Sequence, residues 1–424
     1  MTSSWIRSTV PSPAARRMPT PPSFRFNEGG TRFRLYPQPA RLGFAPLTVY
    51  IDAPPGSILT GPSDATIQTI DAVAKLGYRK DGTEAIRGRP PYRGRRRPGV
   101  RPGAGGHFDH VEPGTREFGL TAPFATVRLV LEIWRHYLER PLRWHFADTV
   151  SPRLELFPHI RSYNSWSGEG YLELGSPNYP DDRDDPYCEN FEAVAHETGH
   201  LIMKSVIGTM PDDEKSMQHR AHEEAAADFI AMLSTLHFEP VVTRALAQSH
   251  GQLYGTNVLS RVGEWDVTKS TSIRQLFNEA TMDGARRDKK LNKHRLSLPF
   301  SGALFDLFAE ILKDRLVERQ ALSRALARRS RHRPGVPLAD VKAAFARAHG
   351  KAPAEFHEAL LDTRNEMARL LARAWRSTPL QSVTFAGAVT HLLAADAEPA
   401  GSARGPRAAL IRELFEARGI APPP

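Results

Sequence analysis

His196-Glu197-Thr198-Gly199-His200, followed by Glu224-Ala225-Ala226-Ala227-Asp228, decides how this chain is read. Two histidines four apart on a helix face the same way about one turn apart, so both imidazoles can reach one metal ion. Glu197 projects beside that face, where it can take a proton from a water that the metal activates. A tetrahedral catalytic zinc needs three protein ligands and one open position, and Glu224 can supply the third from a second helix. Asn190 suits the N-cap and Gly208 the stop, and Phe191, Val194, Ala195, Leu201 and Ile202 give the helix between them an apolar side. The second helix is expected over Ala221 to Leu236, with Glu224 and Asp228 on one face and Phe229, Ile230, Leu233 and Leu236 toward the core. Asp228 is placed to accept the second ring N–H of a ligating histidine. Glu223 points about 100° away around the helix, so it is not expected to bind the metal. The bland reading, two helices with solvated His and Glu side chains, is disfavoured by this capped and amphipathic context.

Composition sets the outer limits. A chain of 424 residues, 40% hydrophobic and 25% charged, can bury a large core in two or three lobes. Its formal net charge of +10 comes from many arginines. Basicity can signal an acidic partner, but an Arg-, Ala- and Pro-rich vocabulary also follows from a GC-rich genome. Cys188 is the single cysteine, which excludes a disulfide framework and a cysteine-rich metal site, so zinc must be held by His and carboxylate. No stretch has the apolar length of a membrane span. The N-terminus is basic without an adequate apolar run, so no signal peptide is recognised and a cytoplasmic or non-classically exported protein is expected.

Along the chain, residues 1–44 are rich in Pro, Arg and Ser and are expected to be a mobile tail. Leu47 to Pro54 alternates as a strand would, and Ala65 to Tyr78 suits a short helix. Ile86 to Arg101 (IRGRPPYRGRRRPGVR) carries seven arginines among Gly and Pro. Such a tract can bind nucleic acid electrostatically, but Tyr92 is its only aromatic, so an exposed, unfolded loop is preferred and no nucleic-acid partner is expected. A helix is expected from an N-cap at Thr121, with Trp134 in the core, then extended chain from Arg153 to Leu174. Asp181-Asp182-Arg183-Asp184-Asp185 could hold calcium through oxygen ligands, or simply be a solvated loop favouring a helix N-terminus. Helices are expected over Pro299 to Arg328, Leu338 to His349, Pro353 to Ser377, Val383 to Ala395 and Gly405 to Arg418. The fold class that results is α+β and zincin-like. A β-rich N-terminal lobe (45–208) ends in the His196–His200 helix, a mostly helical lobe (209–424) follows, and zinc lies in the cleft between them.

The zinc pattern with its downstream E-x-x-x-D helix resembles the thermolysin-like gluzincins. Tyr163 to Trp166 and Gly170 to Gly175 (GYLELG) look like that family's edge strand, which pairs with substrate backbone. Ser297 to Asp306 resembles the helix after the family's active-site histidine, and Phe385 to Ile420 its closing helices and those of the fungalysins. The Gly-Ala-Met-Glu-Asn motif of membrane-alanyl-type aminopeptidases is absent. The resemblance implies a zinc endopeptidase acting on a peptide or protein substrate, with Glu197 as general base. It also implies a histidine sharing the oxyanion charge. Leu298 occupies that histidine's usual spot, which leaves His294 as the nearest candidate and His219 and His222 as competitors. Arg274 is similar to the Arg that binds the substrate carbonyl, with Arg261 as the alternative, and Asn164 would hydrogen-bond substrate backbone. Two departures stand out: Met210 to Glu223 has no Tyr, and Thr235 to His237 offers no calcium-binding carboxylate. The rival readings are an inactive scaffold of this type that binds a protein or nucleic acid through its basic tracts, and a peptidase restricted to one partner or to its own tail. The intact general base argues against the first, since a binding module gains nothing from it.

Overall fold

Period-two alternation in the first part of the chain and long helical periods in the second sort into two kinds of layer. The computed structural model describes residues 24–78, 90–162, 164–176, 186–263, 274–331, 339–401 and 404–422. β1 (Thr31–Leu35) and β2 (Leu47–Ile51) form an antiparallel ribbon. β3 (Ile67–Thr69), β4 (Leu154–Ile160), β5 (Trp166–Gly168) and β6 (Tyr171–Gly175) make a sheet in the order β3-β4-β6-β5. β4 runs parallel to both its neighbours and is buried almost throughout, as a central strand covered on both faces should be. β5 pairs only with β6, antiparallel, and so forms the edge. β7 (Arg261–Val262) and β8 (Arg274–Gln275) are a short separate pair.

The helices are α1 (Phe118–Leu138), α2 (Phe191–Ile207), α3 (Met217–Thr235), α4 (Glu239–Ser249), α5 (Met282–Arg287), α6 (Lys293–Glu318), α7 (Arg324–Arg329), α8 (Ala339–Lys351), α9 (Pro353–Ser377), α10 (Phe385–Ala397) and α11 (Ala408–Glu416). The fold is therefore α+β, with the strands concentrated in the N-terminal part and helices dominating the rest. One buried cluster runs from Phe33 to Ile420, so both parts share a core. Trp134 lies within it, and its indole N–H donates to Ser234 Oγ at 3.1 Å, tying α1 to α3. No single helix among the described residues is long and apolar enough to cross a membrane.

Several expected boundaries move, each because a side chain competes for backbone groups. Ala65 to Tyr78 is not a helix. The Asp64 carboxylate accepts from the backbone N–H of Thr66 at 2.7 Å and Ile67 at 2.8 Å, and the chain then joins β4 as β3. Thr121 is not a cap, because α1 already starts at Phe118, whose N–H donates to Thr115 Oγ1 at 3.2 Å. α3 begins at Met217 rather than Ala221, under a Ser216 cap that accepts from His219 N at 3.0 Å. α6 begins at Lys293 rather than Pro299, because Asn292 accepts from the N–H groups of His294 and Arg295, both at 3.0 Å.

The expected tail is also shorter than residues 1–44. Phe33 and Leu35 of β1 are buried, and residues 1–23 lie outside the described ones. The arginine tract is not an unfolded loop where it is described, from Pro90 on. Tyr92 N–H donates to both Glu155 carboxylate oxygens at 2.9 Å, and Arg97 N–H to Asp71 O at 2.8 Å, so the tract is laced to the sheet. Arg93 and Arg95 remain exposed.

Burial lowers the imidazoles of His145 and His222 from 6.5 to about 4. In the unfolded chain they regain ordinary values and take up protons first as the pH falls. The stability these two side chains contribute should therefore be fully present above about pH 6.5 and be lost progressively between there and pH 4. Thermal midpoints across that range would check this. The decline should be shallower in His222→Leu, because one of the buried imidazoles is gone.

Candidate metal centre

The centre is made by a close crossing of α2 and α3. A Cβ at Gly199 would stand 2.9 Å from Ala227 Cα and 3.2 Å from its Cβ, so only glycine lets the two backbones approach this far. Ala227, whose side chain is a single methyl, keeps α3 equally small at the contact. The helix ends are secured as their sequences require. Asn190 Oδ1 accepts from Ala193 N at 3.0 Å, and Gly208 closes α2 at a φ of 109°.

This crossing brings His196, His200 and Glu224 together, with one ligand atom from each within 4.8 Å of the others. His196 Nε2 is 3.5 Å from Glu224 Oε2, and His200 Nε2 is 3.7 Å from Glu224 Oε1. A tetrahedral zinc with bonds of about 2.0–2.1 Å separates its ligand atoms by about 3.3–3.5 Å, so two imidazoles and a carboxylate within 4.8 Å of one another are a donor set that could close on such an ion. On the far side of the His196 ring, Nδ1 lies 2.8 Å from Asp228 Oδ1. A proton held there leaves Nε2 with a lone pair for the metal. Glu223, adjacent in sequence, instead pairs with Lys215 at 3.2 Å and His219 at 3.5 Å.

Charge in the centre is strongly coupled. Burial would lower His196, but hydrogen bonds and charges from Asp228 and Glu224 raise it to about 10. Burial brings His200 down to about 3. Glu224 resists its own burial, because the charge on His200 and hydrogen bonds from His196 and His294 hold its carboxyl well below the usual range. Burial pushes the Glu197 carboxyl up, and the Glu224 charge adds to this against the opposing influence of His196.

The three residues line a cleft of about 550 Å³ together with Glu197, Asn164, Arg274 and His294. Among these, Arg274 lines the cleft and also engages Glu224 and Asp228. Its Nη2 donates to Glu224 Oε2 at 2.9 Å and lies against His294 Nδ1, and its Nε is 3.7 Å from Asp228 Oδ2. His294 Nδ1 is 3.0 Å from Glu224 Oε2. Asn164 Oδ1 accepts from Ser165 N at 2.9 Å, just before edge strand β5. His219, His222 and Arg261 do not line the cleft, and His222 packs its ring against Phe300. The Asp181–Asp185 run lies outside the described residues.

Sequence reasoning does not single out several cleft residues, among them Ser167, Lys293 and Tyr187. Ser167 Oγ donates to Glu197 Oε2 at 3.1 Å, and alternation from Ser165 along β5 could have flagged it. Lys293 Nζ is 2.7 Å from Glu224 Oε1, next to the singled-out His294. Tyr187 enters from the turn before α2, where a search for a tyrosine between Met210 and Glu223 does not look. Burial and then the Glu197 charge raise its phenol, so it stays protonated and able to donate.

If Asp228 orients His196, Asp228→Ala should weaken metal affinity about 10–100-fold without unfolding the protein. Titration against a competing chelator reads this directly. An unchanged affinity would mean that the 2.8 Å approach is incidental.

No family model matches this sequence, and no curated protein matches it either. Among solved structures, the fold is similar to the precursor of protealysin, a metalloproteinase from Serratia proteamaculans. The TM-score is 0.43 at 11% identity, over 77% of this chain and 83% of that one.

Proposed function

We propose that this protein is a zinc-dependent endopeptidase. The observation that supports the reading most is the convergence of His196, His200 and Glu224 beside Glu197 in one cleft bordered by an edge strand. Zinc, when bound, would polarise a scissile carbonyl and make water more acidic. Glu197 would accept the water's proton and pass it to the leaving amine, and its raised proton affinity suits both halves of that task. Ser167 would keep the carboxylate aimed by its hydrogen bond.

His294 and Lys293, both in the first turn of α6, are assigned to the charge that develops on the carbonyl oxygen. Arg274 is assigned first to holding Glu224 and Asp228, with contact to substrate left to its remaining N–H groups. β5 is an exposed edge on which an extended peptide could add as a further strand, and Asn164 at its entrance could bond that peptide's backbone. Casein hydrolysis by the zinc-loaded protein, with and without a chelator, tests the reading. Cleavage that the chelator removes and added zinc restores is the expected result. Absence of cleavage in a zinc-loaded protein would favour a scaffold without activity.

A further inference from the structure

His196 and His200 recur every four residues on one face of α2, and the next position on that face is Lys204. It stands about 6 Å along the helix from His200, roughly two residues of extended peptide away. Lys204 lines the same cleft, together with Lys215 and Arg220. The other two cations are occupied. Lys215 pairs with Glu223 at 3.2 Å and Asp212 at 3.5 Å, and Arg220 donates to the Asp212 carbonyl. Lys204 makes no side-chain hydrogen bond or ion pair with the described residues. It is partly buried, and burial lowers its ammonium from the ordinary value while Glu223 opposes that fall. Its Nζ is not fully enclosed by protein, so in the open cleft it is available to an acceptor on a bound ligand. Asp212 and Glu223, carboxylates that line the cleft with these cations, are the ones that Lys215 engages.

We propose that the end of the cleft beyond His200 is a subsite for a carboxylate of the bound peptide, with Lys204 as its specificity-determining residue. The carboxylate would belong to an Asp or Glu side chain near the scissile bond or to a free C-terminus. Either would complete a charge-assisted hydrogen bond with Lys204. This rests on the peptidase reading given above, so binding and cleavage must be measured separately.

The test uses zinc-loaded Glu197→Gln protein and short alanine-rich peptides. These differ only in one Glu or Gln walked along the chain and in a free or amidated C-terminus. Fluorescence anisotropy should show one carboxylate-bearing form binding about 10-fold or more tighter than its neutral twin, the gain expected of one charge-assisted bond. A preference that follows Glu whatever the terminus identifies a side-chain subsite. One that follows only the free terminus identifies a C-terminal carboxylate. Lys204→Met in the same background should abolish the preference, and Lys204→Arg should keep most of it. Equal affinities for charged and neutral peptides, or a preference that survives Lys204→Met, would overturn the proposal. Hydrolysis of the neutral peptide by wild type is read in parallel. Its absence counts against the peptidase reading alone, because the binding comparison does not depend on turnover.

Discussion

Glu197→Gln should keep its zinc and lose peptide hydrolysis by at least about 10²–10⁴-fold, the usual contribution of a positioned general base. The amide preserves the shape of the side chain and can still meet Ser167, so the cleft should be undisturbed. What it lacks is an oxygen basic enough to take a proton. Metal analysis beside a casein assay separates the two effects. Loss of zinc together with activity would show that Glu197 supports the metal instead of the chemistry. Near wild-type turnover would remove it from the mechanism.

Comparable in size is the effect of removing a ligand. His196→Ala, His200→Ala and Glu224→Ala should each fail to retain zinc, because two remaining ligands bind it poorly. Glu223→Ala makes the sharper control. Its carboxylate pairs with Lys215 and His219, so the variant should bind zinc normally. It should nevertheless be less stable by about 1–3 kcal/mol, since the largely buried Lys215 then loses its nearer partner. Zinc content and denaturant midpoints, read together, test both halves. The reverse pattern, zinc lost with Glu223 and kept without Glu224, would mean that the wrong neighbour had been chosen.

The His196–His200–Glu224 cluster is legible in the sequence because its determinants are local. Helical period four aligns His196 with His200 and Glu224 with Asp228, and Asn190 and Gly208 mark the ends of α2 by capping chemistry that acts within a few residues. The one long-range requirement, close approach of α2 and α3, is written in Gly199 and Ala227, but its meaning emerges only once the helices face each other. Elements whose fate depends on distant partners were read less well. Ile67–Thr69 becomes a strand because β4 waits for it some ninety residues later, while its own sequence suits a helix equally. Arg274 reads as a substrate ligand in one dimension. In three it meets Glu224, Asp228 and His294 from elements far apart in sequence. Ser167, Tyr187 and Lys293 were missed for the same reason, since a lone Ser, Tyr or Lys carries no spacing signal.

Zinc titration of metal-free protein against a competing chelator tests the central claim most directly, with wild type, Glu223→Ala and Glu224→Ala run side by side. The account predicts one zinc per chain in the first two and a collapse of affinity in the third. A wild-type chain that takes up no zinc, or a Glu224→Ala chain that binds it as tightly as wild type, would contradict it.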